Sequence, residues 1–431
     1  METENTKDLL WANSGPSEHH RLSFKLFAVL VFSYPILALL VKGAMNATFS
    51  LTVLVAIYFL VKEHKHGGIR VDRQEWGYLI AMGLLPVAIL LSEIRHWDFL
   101  APPYDAASRF LLSGLLFIAL RRAKIQTLES ASIGFALGTF SAAAAALWLS
   151  GAPGPRADTY FLDPIHFGDT ALALGVVSGA SIDWTSNRGF MIKAIKVIGL
   201  LLGVYLSIRS GSRGGWVAMP VILLAWVYFQ SNKMSAHQWV GLAVIGLVSG
   251  IGLYMLDHEV QRRINDVWQN LARYRAGHFN TAVGIRFKLW QAALTLWFHN
   301  LFFGIGPRGL KLMMVPMSEF GMTAPIIAEA GRAEMHNDIL SNATALGLPG
   351  LAASLALYIA PASICISGMR SGDARRKRAG LAGVLFVLGF AIFGLTVQVF
   401  DLSMITAFYS LTVALLCAAA AGPKKHHDAT N

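Results

Sequence analysis

About twelve apolar runs of roughly membrane-spanning length dominate this chain and leave few folds open to it. They lie near 23–42, 47–61, 75–92, 107–120, 129–149, 168–181, 189–207, 214–229, 237–256, 338–364, 379–398 and 402–421. Several are nearer 15 than 20 residues, short for a hydrocarbon core of about 30 Å. Only 14% of the residues are charged and 55% are hydrophobic, whereas soluble domains carry about 25% charged residues. The expected fold is therefore all-α, a polytopic membrane protein with about 12 transmembrane helices. The one long polar interval, 257–335, is expected as a single large external loop.

The basic residues assign the two faces. With the N-terminus inside, the inner loops hold Lys62, Lys65, Arg70 and Arg73, then Arg121, Arg122 and Lys124, then Arg188, Lys193 and Lys233. Arg370, Arg375, Arg376, Lys377 and Arg378 follow, with Lys424 and Lys425 after the last run. The short outer loops hold only Lys42, Arg95, Arg156, Arg209 and Arg213. Cytoplasmic loops carry the Lys/Arg excess, so both termini are expected inside and 257–335 outside. The layout is a tail 1–22, spans over 23–256, the large loop 257–335, spans over 336–421 and a tail 422–431. Topology accounts for most of the net charge of +11, so nucleic acid is not an expected partner. Residues 1–22 lack a signal-peptide layout, and the first apolar run is too long for a cleaved one. Cys365 and Cys417 fall inside spans, which removes an exported disulfide or a Cys-based zinc site.

Within the large loop, 257–275 and 284–299 carry apolar residues at helical spacing, expected as helices at the membrane interface or packed over the bundle. Loops are expected at 93–106, where Pro102 and Pro103 forbid a continued helix, and at 150–167. Four features carry chemistry. Arg209-Ser210-Gly211-Ser212-Arg213-Gly214-Gly215 joins two spans at their outer ends. Its glycines and serines can form an anion nest at a helix N-terminus, with two arginines beside it, or merely a tight turn. Arg286 follows Gly284 near the start of a loop helix, as an anion ligand or a lipid-headgroup arginine. His336-Asn337 opens the tenth span, whose positive end would favour a neutral ring fit for a general base, or for an interfacial cap. On a continuous helix Gly347 and Gly350 would lie near the face of His336, opening it to a lipid chain or a neighbouring helix. Asp401 could orient a base or cap the last span. His96, Asp98, Asp105, Asp158, Asp163, His166 and Asp169 are external, but their spacing matches no strong metal motif.

These residues resemble the bacterial O-antigen ligases. The likeness rests on His336-Asn337 followed by Gly347 and Gly350, on Ser212-Arg213-Gly214, and on an arginine-led helix before Phe303-Gly304-Ile305-Gly306-Pro307. It implies a type C glycosyltransferase-like fold and transfer of a glycan from undecaprenyl pyrophosphate to a sugar hydroxyl of lipid A-core. The reaction would be inverting, without metal or other cofactor, in the periplasmic leaflet of the inner membrane. His336 would be the general base, and Arg213 and Arg286 would hold the pyrophosphate. Asn337, Arg209, Asp401, Arg156 and His166 are further candidates for the site. O-antigen polymerases and O-linked oligosaccharyltransferases share the donor and remain alternatives. A lipid-linked oligosaccharide flippase is the non-enzymatic one.

Overall fold

A computed structural model describes residues 18–122, 125–149, 156–186, 189–230, 258–319 and 325–424, with isolated positions between 237 and 255. The first part is a succession of long helices: α1 (Glu18–Ala38), α2 (Ala44–Gly67), α3 (Arg73–His96), α4 (Pro102–Arg122), α5 (Ile125–Trp148), α6 (Pro164–Ala180), α7 (Phe190–Ser210) and α8 (Arg213–Gln230). The polar interval holds α9 (His258–Arg275), α10 (Ala282–His299), α11 (Gly309–Glu319) and α12 (Pro325–Ala333). The chain closes with α13 (Asp338–Met369), α14 (Ala374–Gly394) and α15 (Ser403–Ala421). The expected span 237–256 lies almost wholly outside the described residues. The protein is thus a nearly all-helical, multi-pass membrane protein.

Among the described residues, eight helices are long and apolar enough to cross a membrane: α2, α3, α4, α5, α7, α13, α14 and α15. The other expected spans are shorter or more polar. α6 has 17 residues, about 26 Å of helix, and is sheathed by protein from His166 to Ala180, so it needs no lipid-facing length. It also packs tightly on α7, where a Cβ on Gly203 would lie 2.6 Å from the Ala171 carbonyl. The loop expected at 93–106 is shorter than its composition suggested. α3 runs on to His96, and Pro102 and Pro103 begin α4, because proline is excluded from helix interiors but not from a first turn.

One end of the bundle is pinned by buried charge. Glu75, fully buried, accepts from Arg122 at 2.7 Å, lies 3.5 Å from Arg121 Nη1 and receives Lys424 Nζ at 3.2 Å. Asp72 caps α3 through the Glu75 N–H and takes a second contact from Arg121 at 2.7 Å. The basic residues assigned to one membrane face therefore gather carboxylates from that same end. At the opposite end, α9 to α12 form a small roof with its own core of Leu289, Ala293, Leu296, Met314, Ile327 and Met335. The two amphipathic loop helices are present, and α10 is packed into this roof rather than lying loose.

Candidate active site

The two glycine-bearing segments dock on one another, and backbone chemistry explains how. Pro349 has no N–H, so the Ala345 carbonyl loses its helical donor. Gly347 leaves the helix at φ 70°, ψ −152°, a region open essentially to glycine. The Leu348 N–H then turns to the Leu301 carbonyl at 2.8 Å. The freed Thr344 and Ala345 carbonyls accept from the Ile305 and Gly306 N–H groups, each at 3.0 Å. A Cβ on Gly304 would lie 2.3 Å from the Ala345 carbonyl carbon, and one on Gly347 would lie 2.5 Å from that of Phe302. The Ser92 hydroxyl of α3 donates to both Phe303 and Ala345, at 3.0 and 3.3 Å. The helix is therefore not continuous here: Gly347 breaks α13 so that the Phe303–Pro307 turn can be stitched into it.

His336 is not on α13 either. Asn337 is the N-cap, its side-chain oxygen accepting from the Leu340 N–H at 2.9 Å, so its role is structural. His336 precedes it in the left-handed region, φ 54°, uncommon for a residue with a side chain. That turn sets Nδ1 3.3 Å from Glu334 Oε1, within ion-pair distance but off hydrogen-bond geometry, with both side chains about a quarter exposed (25% and 27%). A carboxylate, rather than a bare helix terminus, is thus the charged group facing the ring. Glu334 is in turn fixed by the Gln398 N–H at 2.5 Å. Burial would raise the Glu334 carboxyl, but His336 and the Gln398 N–H hold it below the ordinary glutamate value.

Gln398, in the turn between α14 and α15, organises this corner. Its side-chain oxygen accepts from the Met335 N–H at 2.7 Å, and its amide donates to Ser341 Oγ at 2.9 Å and Asp401 Oδ2 at 3.1 Å. The expected capping role of Asp401 is corrected. Leu402 occupies the N-cap of α15 without a side-chain bond, and Asp401 instead accepts from Gln398. Asp338, fully inside, accepts the Val399 and Phe400 N–H groups at 3.2 and 3.3 Å, which ties the same turn to α13.

Beside this corner lies a cavity of about 170 Å³ lined by Arg156, Gly211, Arg213, Gly214, Arg286 and Thr396. Three separate segments thus bring a guanidinium to one small space. Gly211 ends α7 in the left-handed conformation, φ 67°, and α8 starts two residues on, so Arg213 and Gly214 reach the cavity at a helix N-terminus. Part of that terminus is already served internally. Ser212 Oγ accepts from the Gly215 N–H at 3.3 Å and donates to the buried Asp169 carboxylate at 2.6 Å. Arg156 is oriented by donating to the Ser210 carbonyl at 2.6 Å. Arg286, on the second turn of α10 after the Thr281 cap, is pushed below the ordinary arginine value by burial and by the charge of Arg213, with Glu334 opposing. Like charges held this close and partly dry are matched to an anion.

Of the residues expected in the site, Arg156, Arg213 and Arg286 meet in the cavity, and His336 stands beyond Glu334. Arg209 does not line the cavity. His166 is occupied at Nδ1 by Asp163 Oδ2 at 2.5 Å, while its buried Nε2 has no partner. Of the external His and Asp residues, Asp163, His166 and Asp169 lie together at the start of α6, and the others lie elsewhere. Asp98 lies 3.6 Å from Arg308, Asp105 pairs with Arg109, and no group of three potential metal ligands forms among the described residues. Glu334, Gln398 and Asp338 were not singled out from the sequence, and Asp169 was named only among the external carboxylates. Only the short Glu334-x-His336 spacing could have signalled one of them.

Residues 198–355 match the family model described as O-antigen ligase. The likeness to the O-antigen ligase family is thus confined to that segment. It holds Arg213, Arg286, Glu334, His336 and the Gly347 break, whereas Arg156, Asp169 and Gln398 reach the site from outside it. A functionally uncharacterized protein of Haemophilus influenzae is 22% identical over 390 residues, covering 89% of this chain and 95% of that protein. The O-antigen ligase family likeness therefore lies on the segment that supplies Arg213, Arg286 and His336.

Proposed function

We propose that the protein is an O-antigen ligase of the bacterial inner membrane, transferring a glycan from undecaprenyl pyrophosphate to a sugar hydroxyl of lipid A-core at the periplasmic face. The observation that carries this reading is the convergence of Arg156, Arg213 and Arg286 on one cavity beside the Glu334–His336 pair. A pyrophosphate leaving group needs fixed positive charge, and arginine supplies it with a two-pronged geometry and at any physiological pH. The acceptor hydroxyl needs a base, which contributes about 10²–10⁴ in rate.

In this mechanism the acceptor oxygen attacks the anomeric carbon from the face opposite the phosphate. The carbon–oxygen bond to phosphate breaks, and undecaprenyl pyrophosphate departs with the electron pair, its charge met by the arginines. The hydroxyl proton passes to Nε2 of His336, and Glu334 at Nδ1 steadies the resulting imidazolium. A single displacement inverts the anomeric centre, and no step calls for a metal. The test is incubation of the purified protein in lipid nanodiscs with lipid-linked O-antigen and lipid A-core, with and without a chelator, followed by product mass. O-antigen on lipid A-core, unaffected by chelator, is expected. Long glycans built on undecaprenyl pyrophosphate would make the protein a polymerase, and transport without covalent product would overturn the enzymatic reading.

A further inference from the structure

The N-terminus of α6 lies between the arginine turn and the Gln398 corner. α6 packs along α14, which brings the turn after α14 to the first residues of α6. Ile165 in that first helical turn and Thr396 after α14 both line the arginine cavity. A Cβ on Gly214 would lie 2.5 Å from Thr396 Oγ1 and 3.3 Å from Asp169 Oδ2, so the three segments meet closely. His166 follows Ile165 and is 7% exposed. Asp163 fixes it twice. Its Oδ1 caps α6 by accepting from the Ile165 and His166 N–H groups at 2.9 and 3.3 Å, and its Oδ2 meets the ring at Nδ1 at 2.5 Å. The other ring nitrogen, Nε2, is buried without a hydrogen bond, and the ring faces the Gln398 main chain and the carboxylates of Asp169 and Glu334.

We propose that His166 is a positioning residue for the glycan transfer: a buried imidazolium, set by Asp163, whose charge braces the Gln398 turn and keeps Glu334 behind His336. Asp163 and Asp169 face the ring from α6, and Glu334 faces it from the segment before α13. Arg286 bears on Glu334 from α10. A neutral imidazole would leave three carboxylates repelling one another in a partly dry space, whereas a cation between them satisfies all three. The Gln398 turn is the piece that needs bracing. It donates its N–H to Glu334, accepts from the Met335 N–H, and donates its amide to Ser341 and Asp401. A small shift of that turn therefore moves the residues on either side of His336. His166 reaches no reacting atom and acts through Gln398 and Glu334. The inference rests on the reading of His336 as the base.

The test is the pH dependence of kcat for glycan transfer by the full-length protein in nanodiscs, with lipid-linked O-antigen and lipid A-core. His166→Gln keeps the size and removes the charge, so kcat should fall about 10–100-fold with donor KM within about twofold. With a positive charge gone from behind Glu334, the base keeps its proton to higher pH, and the acid limb of the profile should move up by about half a unit or more. His166→Lys restores the charge and should return that limb towards the wild type. Thermal unfolding checks that each variant folds. If neither does, Asp163→Asn, which keeps the α6 cap, should still lower kcat by about tenfold at unchanged donor KM. A wild-type profile in His166→Gln would overturn the proposal. So would a loss of rate with an unmoved limb, which is a packing role, or a raised donor KM at normal kcat, which is a substrate contact. Normal ligation by His336→Ala would sink the base reading and this inference together; an inactive His336→Ala beside an unaffected His166→Gln would sink this inference alone.

Discussion

Gly347→Ala tests whether the broken helix is what assembles the site. The residue sits at φ 70°, ψ −152°, where a side chain costs about 1–3 kcal/mol. The new methyl would lie 2.5 Å from Phe302 backbone carbon and oxygen and 2.6 Å from the Phe303 nitrogen, and backbone cannot swing aside as a flexible side chain can. Relief requires parting α13 from the 301–306 segment, which sacrifices the bonds from Ile305, Gly306 and Leu348 at about 1 kcal/mol each. Together these effects amount to about 4–6 kcal/mol, a large part of the 5–15 kcal/mol by which folded proteins exceed unfolded ones. At about 2–4 °C per kcal/mol the expected fall in melting temperature is on the order of 10–20 °C, or a failure to accumulate. Fluorescence-detected size exclusion after heating is the assay. Gly372→Ala, where an added Cβ meets nothing within 4 Å, serves as the comparison and should stay within about 0.5 kcal/mol of wild type. A Gly347→Ala protein as stable and active as Gly372→Ala would refute the account of the kink.

Glu334→Gln should slow glycan transfer by about 10–100-fold, the scale of losing a group that orients another, while donor KM changes little. Its stability effect has a defined sign. The Glu334 carboxyl is held below its ordinary value in the folded protein, so the stabilisation is complete above that ordinary value and is lost as pH falls through the lowered one. Wild-type and Glu334→Gln unfolding curves should therefore converge as pH drops below about 4; a constant gap down to acid would speak against the pairing. Arg286→Lys keeps the charge but loses the two-pronged contact, and turnover should drop by about 10²; unchanged turnover removes Arg286 from the pyrophosphate. At the far end, Glu75→Gln strands the buried guanidinium groups and should cost about 3–5 kcal/mol in unfolding without altering donor KM.

The helices were legible because membrane-length apolar runs leave the backbone no other arrangement. The two faces were legible because lysine and arginine sort by side, and Arg121, Arg122 and Lys424 do meet at one end around Glu75. Arg213 and Arg286 were legible as candidates, one in a glycine-serine turn and the other just after Gly284, and both line the cavity. Two parts were not. The place of His336 depends on a left-handed residue and on Gln398, 62 residues away, and no local periodicity encodes such a partner. Pro349 puts the continuity of the helix in doubt, but it does not by itself locate the break at Gly347. Its actual form depends on the 301–306 segment arriving to take the vacated carbonyls. Asp169 was read only as an external carboxylate for a similar reason: its hydrogen bond comes from Ser212, in the turn between α7 and α8.

The central claim is that the arginine cavity and the Glu334–His336 pair form one active site. Its most direct test is His336→Ala in nanodiscs with lipid-linked O-antigen and lipid A-core, read by the mass of modified lipid A-core. The account predicts a folded membrane protein that still binds the lipid-linked donor and yields no ligated product. Ligation at the wild-type rate by that variant would contradict it.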